Sequence, residues 1–314
     1  MSGMALLTAL KAFDTTVRCG SVSAAARELG LRQPTISMHI ARLEREYGVE
    51  LFYRRGRRLV LTPFGEALRQ DTQRVFRAEN DAHALLAAVK NKYAGRLSVH
   101  AIGPYNVVPI IRHFRGRYPL VQITVAIGHS QHIVQSITDY RHDVGIVVHE
   151  VDEPHLFCLP FRRQPLVVFA PLSHRLARRS SIRLEDLAGE QMVLREHGST
   201  TRRVFEQALQ ERGIPTHLSI EMGSREAVRE AVAQGLGLGV VAGTAYIDDA
   251  RLVRLPLEDC DLATHCHVIC RADRRQTPLI AAFLSAAEAV RDSPGAARRQ
   301  SVAEFSKFRQ SDQS

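Results

Sequence analysis

A chain of 314 residues with 45% hydrophobic content can bury sizeable cores and has room for at least two domains. Its net charge is +9, and residues 1–65 carry ten Lys or Arg against five Asp or Glu, so the basic excess sits at one end and points to a polyanionic partner such as nucleic acid. No apolar run approaches the ~20 residues that cross a bilayer, Lys11 and Asp14 interrupt the first helix where a signal peptide would be apolar, and five scattered cysteines fit a reducing compartment. The expected location is the cytoplasm, without membrane attachment.

Met4 to Arg18 reads as a helix with Leu6, Leu7, Leu10, Phe13 and Val17 on its apolar side. A compact alanine-rich helix follows, with Ser23 as its expected N-cap and Gly30 as its left-handed end. A third helix begins near Arg32, with Pro34 in its first turn. Ile36, Ile40, Leu43 and Tyr47 form its buried stripe. The opposite face carries Gln33, Thr35, Ser37, Met38 and Arg42. Small and amide side chains on a short helix suit close approach to base edges in a major groove. Leu51 to Gly65 then reads as a short hairpin turning at Gly56. Arg54, Arg55, Arg57 and Arg58 ring its tip as a wing that can lie on phosphates, with Arg54, Arg57 and Arg58 the assigned contacts.

The order A-A-x-x-L, Q-P-T-I-S, I-x-x-L-E, L-F-x-R and L-T-x-x-G resembles the winged helix-turn-helix of LysR-type transcriptional regulators, from about Leu6 to Gly65. Two residues depart from that pattern. Arg32 stands where a Ser or Thr usually precedes Q-P, and Phe64 replaces a smaller residue. Arg32 weakens the helix cap and adds a phosphate contact, so operator preference is left open. The resemblance implies a sequence-specific DNA-binding regulator, with Arg32 and Pro34 added to the DNA-contacting set, and RNA polymerase as a further partner. It also implies pairing of the helix that follows, and assembly as a homodimer or a dimer of dimers on an inverted-repeat operator.

That helix runs from Pro63 to about Lys92. Leu68, Val75, Leu85, Leu86 and Val89 are too sparse an apolar set for burial inside one domain, and ~28 residues span about 40 Å, which suits a connector paired with a second copy. From Gly95 strands and helices alternate. The strands are RLSVHAIG, VQITVAIG, DVGIVV, PLVVFAP, QMVLR, HLSIEM, GLGVV and CHVICRA. The helices are Tyr105–Arg117, Gln131–Tyr140, Thr201–Arg212, Arg225–Gln234 and Pro278–Val290. The expected fold class is α/β. A DNA-binding domain of residues 1–65 and a linker of 66–92 precede a two-subdomain domain like the periplasmic binding proteins, residues 93–292. Its first subdomain takes about 93–162 and 267–292, its second about 163–266. The tail 293–314 is expected to be disordered.

Strand-to-helix turns are where ligands enter such sheets. Four of them supply Gly103, Tyr105, Ser130, Gln131, Ser199, Thr200, Thr201, Arg202, Ser224 and Arg225, and His149 ends a further strand. Amide ends, hydroxyls and arginines suit a small anionic effector, a carboxylate, phosphate or phosphonate. The runs GHSQ, REHGSTTRR and GSREAVREAVAQGLGLGVV also resemble a subgroup associated with 2-aminoethylphosphonate catabolism, which makes that metabolite the implied effector. In THCHVIC a regular strand sends His265 and His267 to the surface and Cys266 and Cys270 to the core, so no metal site is assigned, and no cofactor motif is found. Nucleophile elbows, Walker loops and H-E-x-x-H are missing from the sequence, which disfavours an enzyme. The alternative reading is a small-molecule-binding protein or enzyme with an incidental basic N-terminal domain.

Overall fold

The computed structural model describes residues 2–55, 58–89 and 93–292. The chain forms two compact units, one of residues 1–96 with 139–141 and one of the remainder.

In the first unit α1 (Gly3–Cys19), α2 (Val22–Leu29) and α3 (Gln33–Tyr47) pack through Ala9, Ala12, Phe13, Ala25, Ala26, Ile36, Ile40 and Leu43, all buried. The small residues of α2 let the other two helices come close. Leu6, Leu10 and Val17 line this core, whereas Leu7 is half exposed and the buried turn of α1 uses Thr15 and Thr16 instead. Tyr47 also leaves the expected stripe, at 54% exposed, because α3 ends one residue later at the left-handed Gly48. The cap of α2 is Ser21, whose hydroxyl accepts from the Ala24 amide at 3.2 Å, and Gly30 ends the helix with φ 65°. Ser23 is therefore not the cap.

A hairpin of β1 (Phe52–Arg55) and β2 (Arg58–Leu61) follows, antiparallel with Phe52 opposite Leu61. Thr62 then ties the hairpin to α4 (Pro63–Val89): its hydroxyl donates to the Glu50 carbonyl at 2.6 Å and accepts from the Gly65 amide at 2.9 Å. A Cβ at Gly65 would lie 2.3 Å from the Leu51 carbonyl oxygen, so only glycine fits there. Along α4, Val75, Leu85 and Leu86 are exposed, by 43%, 58% and 68%. The expected tail 293–314 lies outside the described residues.

The second unit is built on one nine-stranded sheet, ordered β4-β3-β5-β11-β6-β9-β7-β8, with β10 also on β6. One end carries β3 (Gly95–Ala101), α5 (Pro104–Arg117), β4 (Val121–Ile127), α6 (Ser130–Thr138), β5 (Val144–Val147) and α9 (Pro278–Arg291). Its core includes Ile133, Ile137, Val147 and Ile269, with Phe114 against Phe283 at 5.7 Å. The other end carries β7 (Gln191–Arg195), α7 (Thr200–Glu211), β8 (His217–Met222), α8 (Arg225–Ala233), β9 (Leu238–Ala242) and β10 (Leu252–Pro256), over cores that include Val168, Phe205, Leu238, Val193 and Val232. Parallel pairs, β3 with β5 and β7 with β8 and β9, lie at the two ends.

The ends are joined by β6 (Leu156–Pro171) and β11 (Ala263–Arg271), antiparallel to each other. β6 starts nine residues before the strand expected at Pro165, and β10 was not expected at all. Pro160, which cannot donate to a ladder, pairs with His267 at the point where the register shifts between Cys266 and His267. That shift also overturns the expected alternation in THCHVIC. His267 is turned inward, at 7% exposed, while His265 is exposed.

Candidate functional site

On α3, Gln33, Ser37, Met38 and Arg42 are exposed on the side away from the core, and Thr35 is half-buried. Arg32 takes the N-cap position with no side-chain cap bond, and Pro34 lies in the first turn, exposed like Arg32. The Ser23 hydroxyl donates to the Gln33 side-chain carbonyl at 3.0 Å. This fixes the Gln33 amide plane and leaves its NH2 pointing away from α2. The wing residue Arg57 and the side chains of Arg54 and Arg58 lie outside the described residues. Behind this face Glu28 accepts from Arg18 at 2.7 and 3.0 Å, from Cys19 at 2.9 Å and from Arg96 at 2.6 Å. These donors, Arg18 first, hold its carboxyl down at about 2, while burial, and then the hydrogen bond to Glu28 and its charge, push the Cys19 thiol up to about 11 against the opposing pull of Arg18 and Arg96. Cys19 is thereby kept a thiol.

The second unit contains a cleft of about 570 Å³, open to solvent, where the two ends of the sheet meet. Of the expected residues, Gly103, Tyr105, Ser130, Ser199, Thr200, Thr201 and Arg225 line it. Three helices, α5, α6 and α7, begin at its wall, each with amides unpaired by the helix itself. Ser199 is the N-cap of α7. The Ser130 hydroxyl is buried and has no hydrogen-bond partner. Arg225 reaches over Gly103 and donates to the Ile102 carbonyl at 3.0 Å. Burial, and then the charge of Arg195, lower its pKa from the usual arginine value.

The remaining expected residues do not line the cleft. Arg202 is 2% exposed and turned into its own end of the sheet. It donates to Glu206 at 2.7 Å, to Glu221 at 2.6 Å and to the Arg195 carbonyl at 2.7 Å. Ser224 caps α8, accepting from the Ala227 amide at 3.1 Å, and Gln131 is exposed. His149 is half-buried, and burial, followed by the charges of Arg203 and His267, lowers its pKa.

Sequence reasoning passed over several lining residues. Gln164, on β6, forms the polar floor: its amide donates to Asn106 at 2.9 Å and to Thr244 at 2.6 Å, and Thr264 donates to its carbonyl at 3.4 Å. Arg195 ends β7 and is held by Glu196 through two bonds of 2.7 Å, while His129 approaches Glu196 at 3.3 Å. Burial alone would raise the Glu196 carboxyl; Arg195, a backbone amide and His129 outweigh it and bring it below the usual range. Among the described residues no carboxylate lines the cleft itself; Glu196 behind it pairs Arg195, so Arg225 contributes most of its positive charge.

A short helix with a polar outer face beside a hairpin, and an α/β unit with a cationic cleft, define a ligand-responsive DNA-binding protein. Residues 7–66 match the bacterial regulatory helix-turn-helix protein profile of the lysR family, and residues 90–291 match the LysR substrate binding domain. The chain belongs to the LysR family of transcriptional regulators: it is a DNA-binding regulator with an effector-binding domain, and not an enzyme. It is 31% identical over 289 residues to the HTH-type transcriptional regulator CbbR of Rhodospirillum rubrum, covering 90% of this chain and 96% of that one. It is 30% identical over 282 residues to the RuBisCO operon transcriptional regulator of Allochromatium vinosum, covering 88% and 93%. Full-length OxyR from Pseudomonas aeruginosa superposes with a TM-score of 0.73 at 25% identity, over 92% of this chain and 95% of that one. Full-length CbnR, solved with its target DNA, shares the fold with a TM-score of 0.69 at 20% identity, over 90% and 99%. Among the described residues no helix is long and apolar enough to cross a membrane.

Proposed function

We propose that this regulator reads an inverted-repeat operator as a homo-oligomer and responds to a small anion held in the cleft of its second unit. Gln33, Ser37, Met38 and Arg42 reach base edges, with Thr35 beside them, and Arg32 and the wing arginines Arg54, Arg57 and Arg58 contact phosphates. The exposed Leu85 and Leu86 of α4 support pairing with a second copy, in a dimer or a dimer of dimers. In this reading residues 66–92 are the linker, about 93–162 with 267–292 and about 163–266 the two effector subdomains, and 293–314 a tail. Cytoplasmic location and contact with RNA polymerase complete the reading.

One observation carries the effector class. The partnerless Ser130 hydroxyl lies in a cleft lined by helix amide ends, by Arg225, which donates to the Ile102 carbonyl, and by Arg195, which Glu196 holds. A carboxylate or phosphonate satisfies all of these donors together. 2-Aminoethylphosphonate is the first candidate for that head-group position. Calorimetry on the wild type, Ser130→Ala and Thr200→Ala tests it: both variants should bind an anion about tenfold more weakly. Wild-type affinity in both would show that the anion sits elsewhere.

A further inference from the structure

Beside the cleft lies a second recess of about 430 Å³ with a different character. Its walls are mainly apolar and aromatic. Phe169 and Tyr246 stand edge-on at 6.0 Å, and Val241 and Ile247 continue the surface. Tyr105, Arg195, Arg225 and Ala245 line both spaces, so the guanidiniums form a common wall with the cleft on one side and an apolar chamber on the other. At the recess the Arg229 Nε is buried without a hydrogen-bond partner. A small hydrophilic anion held in the cleft would leave the recess unused. We infer that the effector is an anion bearing an aromatic or branched apolar arm, its acidic group at Arg195 and Arg225 and its arm in the recess walled by Phe169, Val241, Tyr246 and Ile247. This inference rests on the cleft reading of the preceding subsection, keeps its anionic head group and replaces 2-aminoethylphosphonate, which has no apolar arm, as the candidate effector.

The chemistry of the wall supports a joined ligand over two separate ones. Arg195 is already neutralised by Glu196, whereas Arg225 donates to a carbonyl and meets Arg195 as a like charge. An acid group at Arg225 relieves that repulsion, and from there an attached ring has only the Tyr105 and Ala245 boundary to cross. Inside, the Phe169 and Tyr246 rings offer edge-to-face contacts and Val228, Val240, Val241 and Ile247 an apolar surface, while Glu226 and Arg229 are the charged residues of its wall beside the shared arginines. Moving a phenyl-sized group from water into such walls strengthens binding roughly ten- to a hundredfold.

Titration calorimetry on the full chain with head-matched pairs is the test: methylphosphonate against phenylphosphonate, and acetate against benzoate. Ile247 lines only the recess and is 41% exposed, so Ile247→Trp narrows the chamber without disturbing a buried side chain. The expected result is at least tenfold tighter binding of the aromatic member of a pair, a difference that Ile247→Trp removes while the small member binds as before. Equal binding of both members, weakened in parallel by Thr200→Ala, overturns the recess assignment and leaves the cleft reading standing. An aromatic preference that survives Ile247→Trp also overturns the recess. Failure of all four anions to bind overturns the cleft reading and the recess with it.

Discussion

Arg202 and Arg225 lie 23 positions apart, both at helix starts facing the same region of the sequence map, yet they sit in opposite surroundings. Replacing Arg202 by Met keeps the apolar stem and deletes three hydrogen bonds of 2.6 to 2.7 Å, two of them to carboxylates. Breaking a fully buried ion pair costs about 3–5 kcal/mol because a charge is stranded. Here the stranded groups are Glu206 and Glu221, 40% and 43% exposed, which regain water when the guanidinium leaves. The Arg195 carbonyl loses its partner as well. The net cost should be about 2–3 kcal/mol. In a domain of this size that corresponds to a fall in Tm of roughly 5–10 °C. Scanning calorimetry of the full chain would follow the transition of the second unit, and titration calorimetry would follow anion affinity, which should change less than threefold. Arg225→Met should do the reverse, with a small change in Tm and more than a tenfold loss of affinity. An Arg202→Met protein with wild-type Tm and no anion binding would refute the assignment, since it would place that guanidinium in the cleft.

Ser23→Ala should weaken operator binding by about 0.5–1.5 kcal/mol, by freeing the Gln33 amide to rotate, and leave binding to random DNA unchanged in a gel-shift comparison. Gln33→Ala should cost about 1–3 kcal/mol in the same assay; equal losses on both DNAs would show that another face reads the bases. Leu85→Glu with Leu86→Glu should shift sedimentation toward monomer, because both side chains are more than half exposed in the single chain; an unchanged association state would remove α4 from the interface. The second unit should lose stability as pH falls. The folded pKa of His149 is depressed, so the unfolded state takes up more protons below the ordinary histidine value near 6.5. Stability is intact above that pH, falls until the depressed value is passed, and is level beyond it. His149→Gln should flatten this part of a Tm-against-pH curve, and a slope unaffected by the substitution would assign it to another group.

What could be read in the sequence was what local spacing controls. Ile36, Ile40 and Leu43 recur at helical period because one face of α3 meets the core, and Gly30 and Gly48 end helices in the left-handed conformation that glycine adopts more readily than residues with a Cβ. Tyr47 obeys the same period and is nevertheless exposed, because nothing packs over the last turn. Two serines two residues apart both satisfy a capping rule; only the geometry of the Ala24 amide and of Gln33 separates their roles. The long pairing of β6 with β11 joins residues 98 to 115 positions apart, across prolines and paired arginines that disguise the strand, so Gln164 and Thr264 could not be seen to share a cleft floor. Glu206 four residues after Arg202 was a visible sign of an internal pair. Glu221, from another strand, made that pair structural, and no local pattern reports it.

The cleft's polar ties suggest how occupancy could alter the second unit. The Arg225 bond to the Ile102 carbonyl runs from α8 to the strand end beyond β3, and the His129 contact with Glu196 runs from the β4–α6 turn to the end of β7. Each therefore links one end of the sheet to the other across the open cleft. The Ile102 carbonyl takes one N–H of the Arg225 guanidinium and leaves others for an anion, whereas an anion at Arg195 meets a fork already engaged by Glu196. Binding at Arg225 adds to the cross-cleft bond, while binding at Arg195 exchanges part of its pairing with Glu196 for a ligand contact. The shift between two arrangements can be no larger than the difference between the ligand's affinities for them, so a ligand that replaced these ties one for one would bind without switching. A net bias needs donors that have no partner within the protein, and the buried Ser130 hydroxyl is one. Ser130 starts one end's helix and Thr200 the other's, so an anion bridging them favours closure with contacts that the open form does not make.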